Sequence, residues 1–223
     1  MIDFNAMPLS ALETRVLGVL VEKQYTTPDA YPLTLNSLAA GCSQKTSRHP
    51  VMNVTEAELV PVMESLKHRT LVIETYGASG RVLRYSHNLA KVLGVGQSML
   101  ALLAALMLRG PLTPGELRTH CDRMYHFSDV SAVEAYLEDM IPRAAVPLVV
   151  KLAKPPGSRE HRWAQVLSGP VDFEVAGPDS GRDSDAEPMP VRGASLGAEV
   201  AALRAEVAEL RARLDRLEQA LGS

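Results

Sequence analysis

The sequence predicts a mainly helical α+β protein: two winged helix-turn-helix units in tandem, followed by a coiled-coil helix. Three observations carry that prediction. Helix starts of one capping type occur in both halves, two hairpin-like stretches recur at a fixed offset, and the last segment repeats its apolar residues every three and four positions.

A hydroxyl residue followed three positions later by Glu lets each side chain satisfy an orphan backbone N–H at a helix start. The pairs Ser10/Glu13, Thr55/Glu58, Thr113/Glu116 and Ser131/Glu134 fit this pattern. After Ser10, residues Leu12, Val16 and Leu20 share one helical face; after Thr55, Leu59, Val62, Met63 and Leu66 do the same. A shorter helix is predicted around residues 33–40, ended by Gly41. Pro61, inside the helix that follows Thr55, removes one backbone bond and predicts a kink.

Residues 71–87 and 148–166 each read as two β-prone runs joined by a Gly-containing loop, the pattern of a hairpin. Leu33-Thr34 aligns with Leu112-Thr113, Leu38 with Leu117, Leu71-Val72-Ile73 with Leu148-Val149-Val150, and Arg84-Tyr85 with Arg162-Trp163, at offsets of 77 to 79. An ordered match of three helices and a hairpin is what two winged-helix units in tandem would show. The expected boundaries are 1–91 and 92–169 for the two units, 170–195 for a Pro/Gly/Asp/Ser-rich linker, and 196–223 for the coiled coil.

In that last segment Leu196, Val200, Leu203, Val207, Leu210, Leu214, Leu217 and Leu221 follow an unbroken 4,3 spacing. Val200, Val207, Leu214 and Leu221 fall at a positions and the other four Leu at d, a combination that favours parallel dimers. In register, Glu199 meets Arg204, Glu206 meets Arg211 and Arg213 meets Glu218 of the partner chain, all pairs of opposite sign. A homodimer through 196–223 is therefore expected.

Charge is divided by region. Lys+Arg against Asp+Glu is 9 to 8 over 1–91, 8 to 7 over 92–169 and 6 to 11 over 170–223, for the chain's net −3. Near-neutral units attract a polyanion weakly, so any phosphate contact needs cations gathered on one face. The two cysteines, Cys42 and Cys121, form no spaced framework, which suits a reducing compartment. The start MIDFNAMPLS lacks the features of a signal peptide, and the longest apolar run, at 99–108, is too short to span a bilayer. A cytoplasmic protein away from membranes is expected.

No catalytic constellation, cofactor loop or metal set is legible. His120, Cys121 and His126 lie close in HCDRMYH, but no second ligand pair completes a tetrahedral site, and helix-end residues near a turn are the plainer reading. The chain is expected not to be an enzyme. For nucleic acid, the helices that would read bases are acidic, with Glu56, Glu58 and Glu64 in one and Glu134, Glu138 and Asp139 in the other. The cations lie on the wings and on the stretch GCSQKTSRHPVMN (41–53), where Lys45 and Arg48 are expected to project outward while Val51 and Met52 tuck into the core. Lys45, Thr46, Ser47, Arg48, Arg81, Arg84, Arg159 and Arg162 are the candidate nucleic-acid contacts. Arg and Lys on hairpin edges also block strand-to-strand association, an equally good account of the wing cations.

The segments VLVEKQYTTPDAYPLTLNSL (19–38), QKTSRHPVMN (44–53), GASGRVLRY (77–85), LMLRGPLTPGELR (106–118), MYHFSDV (124–130) and PLVVKLAKPPGSRE (147–160) resemble the YceH family of bacterial proteins in order and spacing. The resemblance implies a tandem winged-helix fold and no assigned activity. The family's pattern carries Asn where Ser47 stands and an acidic residue where His49 stands, which questions any ion pair between Arg48 and its neighbour; Pro61 is a further departure. The leading expectation is a DNA-associated or transcription-regulating homodimer gripping phosphates through its wings and the 44–50 loop. The alternative is a protein-interaction module without DNA binding.

Overall fold

Three of the four predicted capping boxes form in the computed structural model, which describes residue 4 and residues 6–76, 80, 82–141, 147–154 and 160–169. Ser10 and Glu13 start α1 (Ala11–Thr26), Thr55 and Glu58 start α3 (Glu56–His68), and Thr113 and Glu116 start α6 (Pro114–Cys121), each with both reciprocal bonds in place. The fourth differs. The helix α7 (Val130–Met140) begins one residue before Ser131, and the Asp129 side chain accepts the Ala132 N–H at 2.7 Å instead. An ionised carboxylate at an N-cap bonds an orphan N–H more strongly than a hydroxyl and complements the helix dipole, so Asp129 wins.

Two antiparallel hairpins complete the mixed α+β fold. In the first, β1 (Val72–Tyr76) pairs with β2 (Leu83–His87) in a register from Val72 opposite His87 to Tyr76 opposite Leu83. In the second, β3 (Val149–Lys151) pairs with β4 (Trp163–Gln165), Val149 facing Gln165. A short helix α4 (Leu89–Leu93) leads into α5 (Gln97–Arg109). Between α1 and α2 (Leu35–Cys42), Leu33 forms a lone bridge with Tyr85; between α5 and α6, Leu112 forms the same bridge with Trp163. Arg84 donates to the Pro32 carbonyl at 2.8 Å, and Arg162 to the Pro111 carbonyl at 2.8 Å. Cys42 and Cys121 close α2 and α6, both fully buried. The repeat read from aligned residues thus extends to individual hydrogen bonds.

The two copies share one apolar core. Glu13 through Val21 of α1 and Ser98 through Leu108 of α5 are buried without interruption, so both helices are covered on every side. They cross closely at Gly18, where an added Cβ would stand 2.9 Å from the Leu108 side chain and 3.2 Å from Met107 Cβ. The chain also closes on itself: the Leu9 N–H donates to the Leu167 carbonyl at 2.8 Å, and the Thr14 and Ser168 hydroxyls lie 2.8 Å apart. Because bulk at this crossing must push apart two packed helices, Gly18→Val is expected to cost about 2 to 3 kcal/mol of unfolding free energy. Urea denaturation followed by circular dichroism measures it, and a loss under about 0.5 kcal/mol would show that the crossing gives way easily.

One local expectation is corrected. Gly41 does not end α2 but lies inside it, where an added Cβ would stand 2.7 Å from Val19 Cγ1; close approach to α1, not a left-handed turn, requires glycine there. Pro61 does not end α3, which continues to His68; its missing donor falls on the exposed side, where water can reach the Ala57 carbonyl. Among the described residues no helix is long and apolar enough to cross a membrane. The linker 170–195 and the seam residues from Leu196 to Leu221 lie outside the described residues.

Candidate functional site

The connection from α2 to α3, residues 43–55, is longer than its counterpart 122–129 in the second copy, and its extra length is fastened from three sides. Its ends are tied together by Ser43, whose hydroxyl accepts the Val54 N–H at 2.9 Å. From α1, Arg15 reaches across and donates to the Cys42 carbonyl at 3.1 Å and the Pro50 carbonyl at 2.6 Å. From the second copy, the Leu108 carbonyl near the end of α5 accepts the His49 N–H at 2.7 Å.

Arg48 sits at the middle of this clasp. Its side chain has no exposure, against the expectation that it projects outward beside Lys45. Both terminal nitrogens donate to the Glu22 carboxylate, one at 3.0 Å, and further bonds go to the Gln44 side chain at 2.7 Å and to the carbonyls of Gly41 at 3.1 Å and Ser47 at 2.9 Å. A planar fork with five donors suits such a cluster of acceptors, whereas an ammonium would reach only part of it. Burial opposes ionisation of Glu22, and the Arg48 bonds and charge overcome it, holding the carboxyl below its ordinary pKa. The ion pair is with α1, not with a sequence neighbour.

The other candidate contacts fall into three groups. Lys45 and Thr46 are exposed on the crest of the loop, with Ser47 half-buried behind them. Arg84 and Arg162 are half-buried and turned to their own domain's backbone, and Arg162 also forms a two-point ion pair with Glu116 at 3.0 and 3.2 Å. Arg81 and Arg159 lie outside the described residues, as do the eight seam residues Leu196, Val200, Leu203, Val207, Leu210, Leu214, Leu217 and Leu221. Val51 does not enter the core; it is 59% exposed. The clasp ties Pro50 and His49 to other elements, and this turns the next residue outward.

Ser47 holds a left-handed backbone, φ +61°, where a non-glycine residue is strained and Asn or Gly is better tolerated. Ser47→Gly is therefore expected to raise the thermal midpoint by a few degrees, on the order of 0.5 to 1 kcal/mol; an unchanged or lower midpoint in a calorimetric scan would show that the Ser47 side chain offsets the strain.

The residues of HCDRMYH do not converge. Cys121 is buried and its thiol donates to the Ala101 carbonyl at 3.4 Å, His120 is half-buried, and His126 is bound to Asp122 at 2.7 Å in solvent. Among the described residues no group of three or more His, Cys, Asp or Glu is placed to hold a metal ion. Burial pushes the thiols of both Cys42 and Cys121 up to about 12, so neither is a thiolate near neutrality.

The outward face of α3 is apolar and acidic. Ala57, Val60 and Pro61 are exposed, Val60 by 51%, and Glu56, Glu58 and Glu64 border them. Glu58 is held low by its Thr55 bonds, Glu56 accepts from Asn36 at 2.9 Å, and Glu64 takes Lys67 at 3.0 Å. α7 likewise exposes Glu134, Glu138 and Asp139.

Taken together, these features define a mixed α+β protein whose two repeated units, each three helices and a hairpin, share a core and are clasped at one loop. The chain belongs to the family described as "Protein of unknown function, DUF480", which it matches over residues 9–158. It is 51% identical over 181 residues to a UPF0502 protein of Burkholderia ambifaria, covering 81% of this chain and 75% of that one. A UPF0502 protein of Dechloromonas aromatica is 51% identical over 197 residues, 86% of this chain and 91% of its own. One from Cupriavidus taiwanensis is 50% identical over 183 residues, 82% and 74% of the two chains. An uncharacterised bacterial family is what the sequence segments resembled.

Sequence reasoning missed Arg15, Glu22 and Arg109. Glu22 lies within the stretch VLVEKQ, and Arg15 lies in the largely apolar run LETRVLGVLV, whose periodicity points to a buried stripe and hides a buried cation.

Proposed function

We propose that the chain is a non-catalytic recognition protein: two winged helix-turn-helix units per chain, paired into a cytoplasmic homodimer through 196–223, binding a protein partner through the outward face of α3. The observation that carries this reading is the composition of that face, Ala57, Val60 and Pro61 among Glu56, Glu58 and Glu64. In a winged helix this element would lie in the major groove, where carboxylates face phosphates and repel them. An exposed apolar stripe bordered by acids instead suits a partner that is apolar and cationic.

A second reading, DNA association through phosphates, is favoured by Lys45 and Thr46 on the exposed crest of a rigid loop. Against it, three of the arginines proposed for phosphate contact, Arg48, Arg84 and Arg162, donate to groups of their own chain. Fluorescence-anisotropy titration of the full chain against random duplex at two salt concentrations separates the readings. Affinity that falls steeply with salt and with Lys45→Ala supports DNA; no binding at low salt supports the protein partner. The dimer is tested by light scattering: a chain cut after residue 195 should have the solution mass of its own monomer, and a mass twice that would sink the zipper.

A further inference from the structure

The clasp gathers more positive charge than the chain around it neutralises. Arg15 is 1% exposed; its guanidinium is bonded to backbone carbonyls alone, and its Nε is buried without a partner. Arg48 pairs with Glu22, and the same carboxylate also takes Lys23 at 3.5 Å. Arg109, the last residue of α5, is half-buried and donates no hydrogen bond to any described residue. Burial, then the nearby Arg48, lowers the Arg109 pKa, and Glu22 is the one carboxylate that acts on it. Arg48, Lys23 and Arg109 thus share a single carboxylate, and Arg15 adds a fourth positive charge to the same loop.

The geometry brings the exposed side of the clasp to Arg109. The His49 N–H is bonded to the Leu108 carbonyl, and the His49 ring lies 3.9 Å from where a Cβ on Gly110 would stand, so His49 and Arg109 border the same turn. His120, in α6, also feels the charge of Arg109. A guanidinium stays ionised in proteins, and one that is partly desolvated with no counter-ion of its own gains from an incoming anion. Its fork geometry matches an oxyanion at two points, and the surplus of neighbouring cations favours a dianion over a carboxylate.

We propose that the junction between the 43–55 loop and the C-terminal end of α5 is a binding site for a phosphate group, with Arg109 as the chelating fork and His49 as a second donor. The site goes beyond the protein-recognition reading of α3 and does not depend on it. The phosphate can belong to a small phosphorylated molecule or to a nucleic-acid backbone, which share this chemistry.

The test is isothermal titration of the full-length protein with inorganic phosphate, in phosphate-free buffer with ionic strength matched by chloride. Wild type should bind saturably, and Arg109→Gln should weaken binding about ten-fold or more while the circular dichroism spectrum is kept. If Arg109→Gln does not fold, His49→Ala serves in its place, with a several-fold loss expected; Lys154→Gln, exposed and elsewhere, should change nothing. A wild-type response no greater than that to chloride, or full phosphate affinity in the folded variants, overturns the proposal. Duplex DNA titrated in parallel identifies the source. A matching loss in Arg109→Gln assigns the site to backbone phosphates, and phosphate binding without duplex binding assigns it to a phosphorylated small molecule.

Discussion

Replacing Arg48 with alanine will lower the unfolding free energy by about 4 kcal/mol. The loss has two sources. Glu22, whose side chain is 17% exposed, loses its principal partner, and the buried Gly41 carbonyl and the half-buried Gln44 side chain lose a donor. Arg48→Lys should recover only part of the stability, because one ammonium cannot meet Glu22, Gln44 and two carbonyls together. Arg48→Met with Glu22→Leu should recover most of it, since removing both charges also removes their desolvation cost. Urea unfolding of the three variants at pH 7 gives the comparison. A loss under about 1 kcal/mol in the alanine variant would mean that the ion pair contributes no more than a surface pair does. The polar stretch GCSQKTSRHPVMN would then be held by its backbone bonds alone.

The fold was largely legible because its signals are local. A capping box, a Gly-punctuated hairpin and an alternating apolar pattern each act within a few residues, and Ser10, Thr55, Thr113 and both hairpins fall where those signals place them. Misreadings came where two local signals competed or where a distant element decided. Asp129 and Ser131 both suit an N-cap, and the carboxylate, the stronger acceptor and the better complement to the helix dipole, is the one used. Gly41 reads as a helix end in isolation, and its role as a contact for Val19 exists only once α1 lies across it. The site was less legible for the same reason. Lys45 and Arg48 look alike in sequence, three residues apart, yet one faces water and the other is buried against Glu22, 26 positions away.

That contrast also changes what the repeat implies. The two copies agree at Arg84 and Arg162, both bonded to the carbonyl just before the lone bridge residue, so these arginines secure the hairpin to the helices in each copy. A residue held at equivalent places in both repeats by the fold itself is poor evidence of a ligand contact. Features that differ between copies include the extended 43–55 loop and Arg109, which follows the residue bonded to His49 and makes no hydrogen bond to a described residue, and they are where ligand chemistry is to be sought.

His87 makes the fold sensitive to acid. It lies at the end of β2 opposite Val72, its ring is tilted toward Tyr31 at 6.3 Å, and neither ring nitrogen has a hydrogen-bonding partner. The Tyr31 hydroxyl accepts the backbone N–H of His87 at 2.8 Å, which leaves the imidazole itself unserved. Burial pushes its pKa from the ordinary 6.5 down to about 4. The folded state therefore binds this proton less readily than the unfolded chain does, and stability falls as pH falls. The contribution is whole above pH 6.5, about 2 kcal/mol is lost by pH 5, and roughly 3 kcal/mol is lost once both states are protonated below pH 4. His87→Phe keeps an aromatic ring at the site and has no proton to take up, so its stability should decline by about 2 kcal/mol less than wild type between pH 7.5 and pH 5. Urea unfolding of both proteins at the two pH values decides it. Parallel declines would mean that the ring reaches water when protonated, because the carboxylates held low by their partners, Glu22 and Glu116, lose their contribution only below their ordinary pKa, outside this pH window.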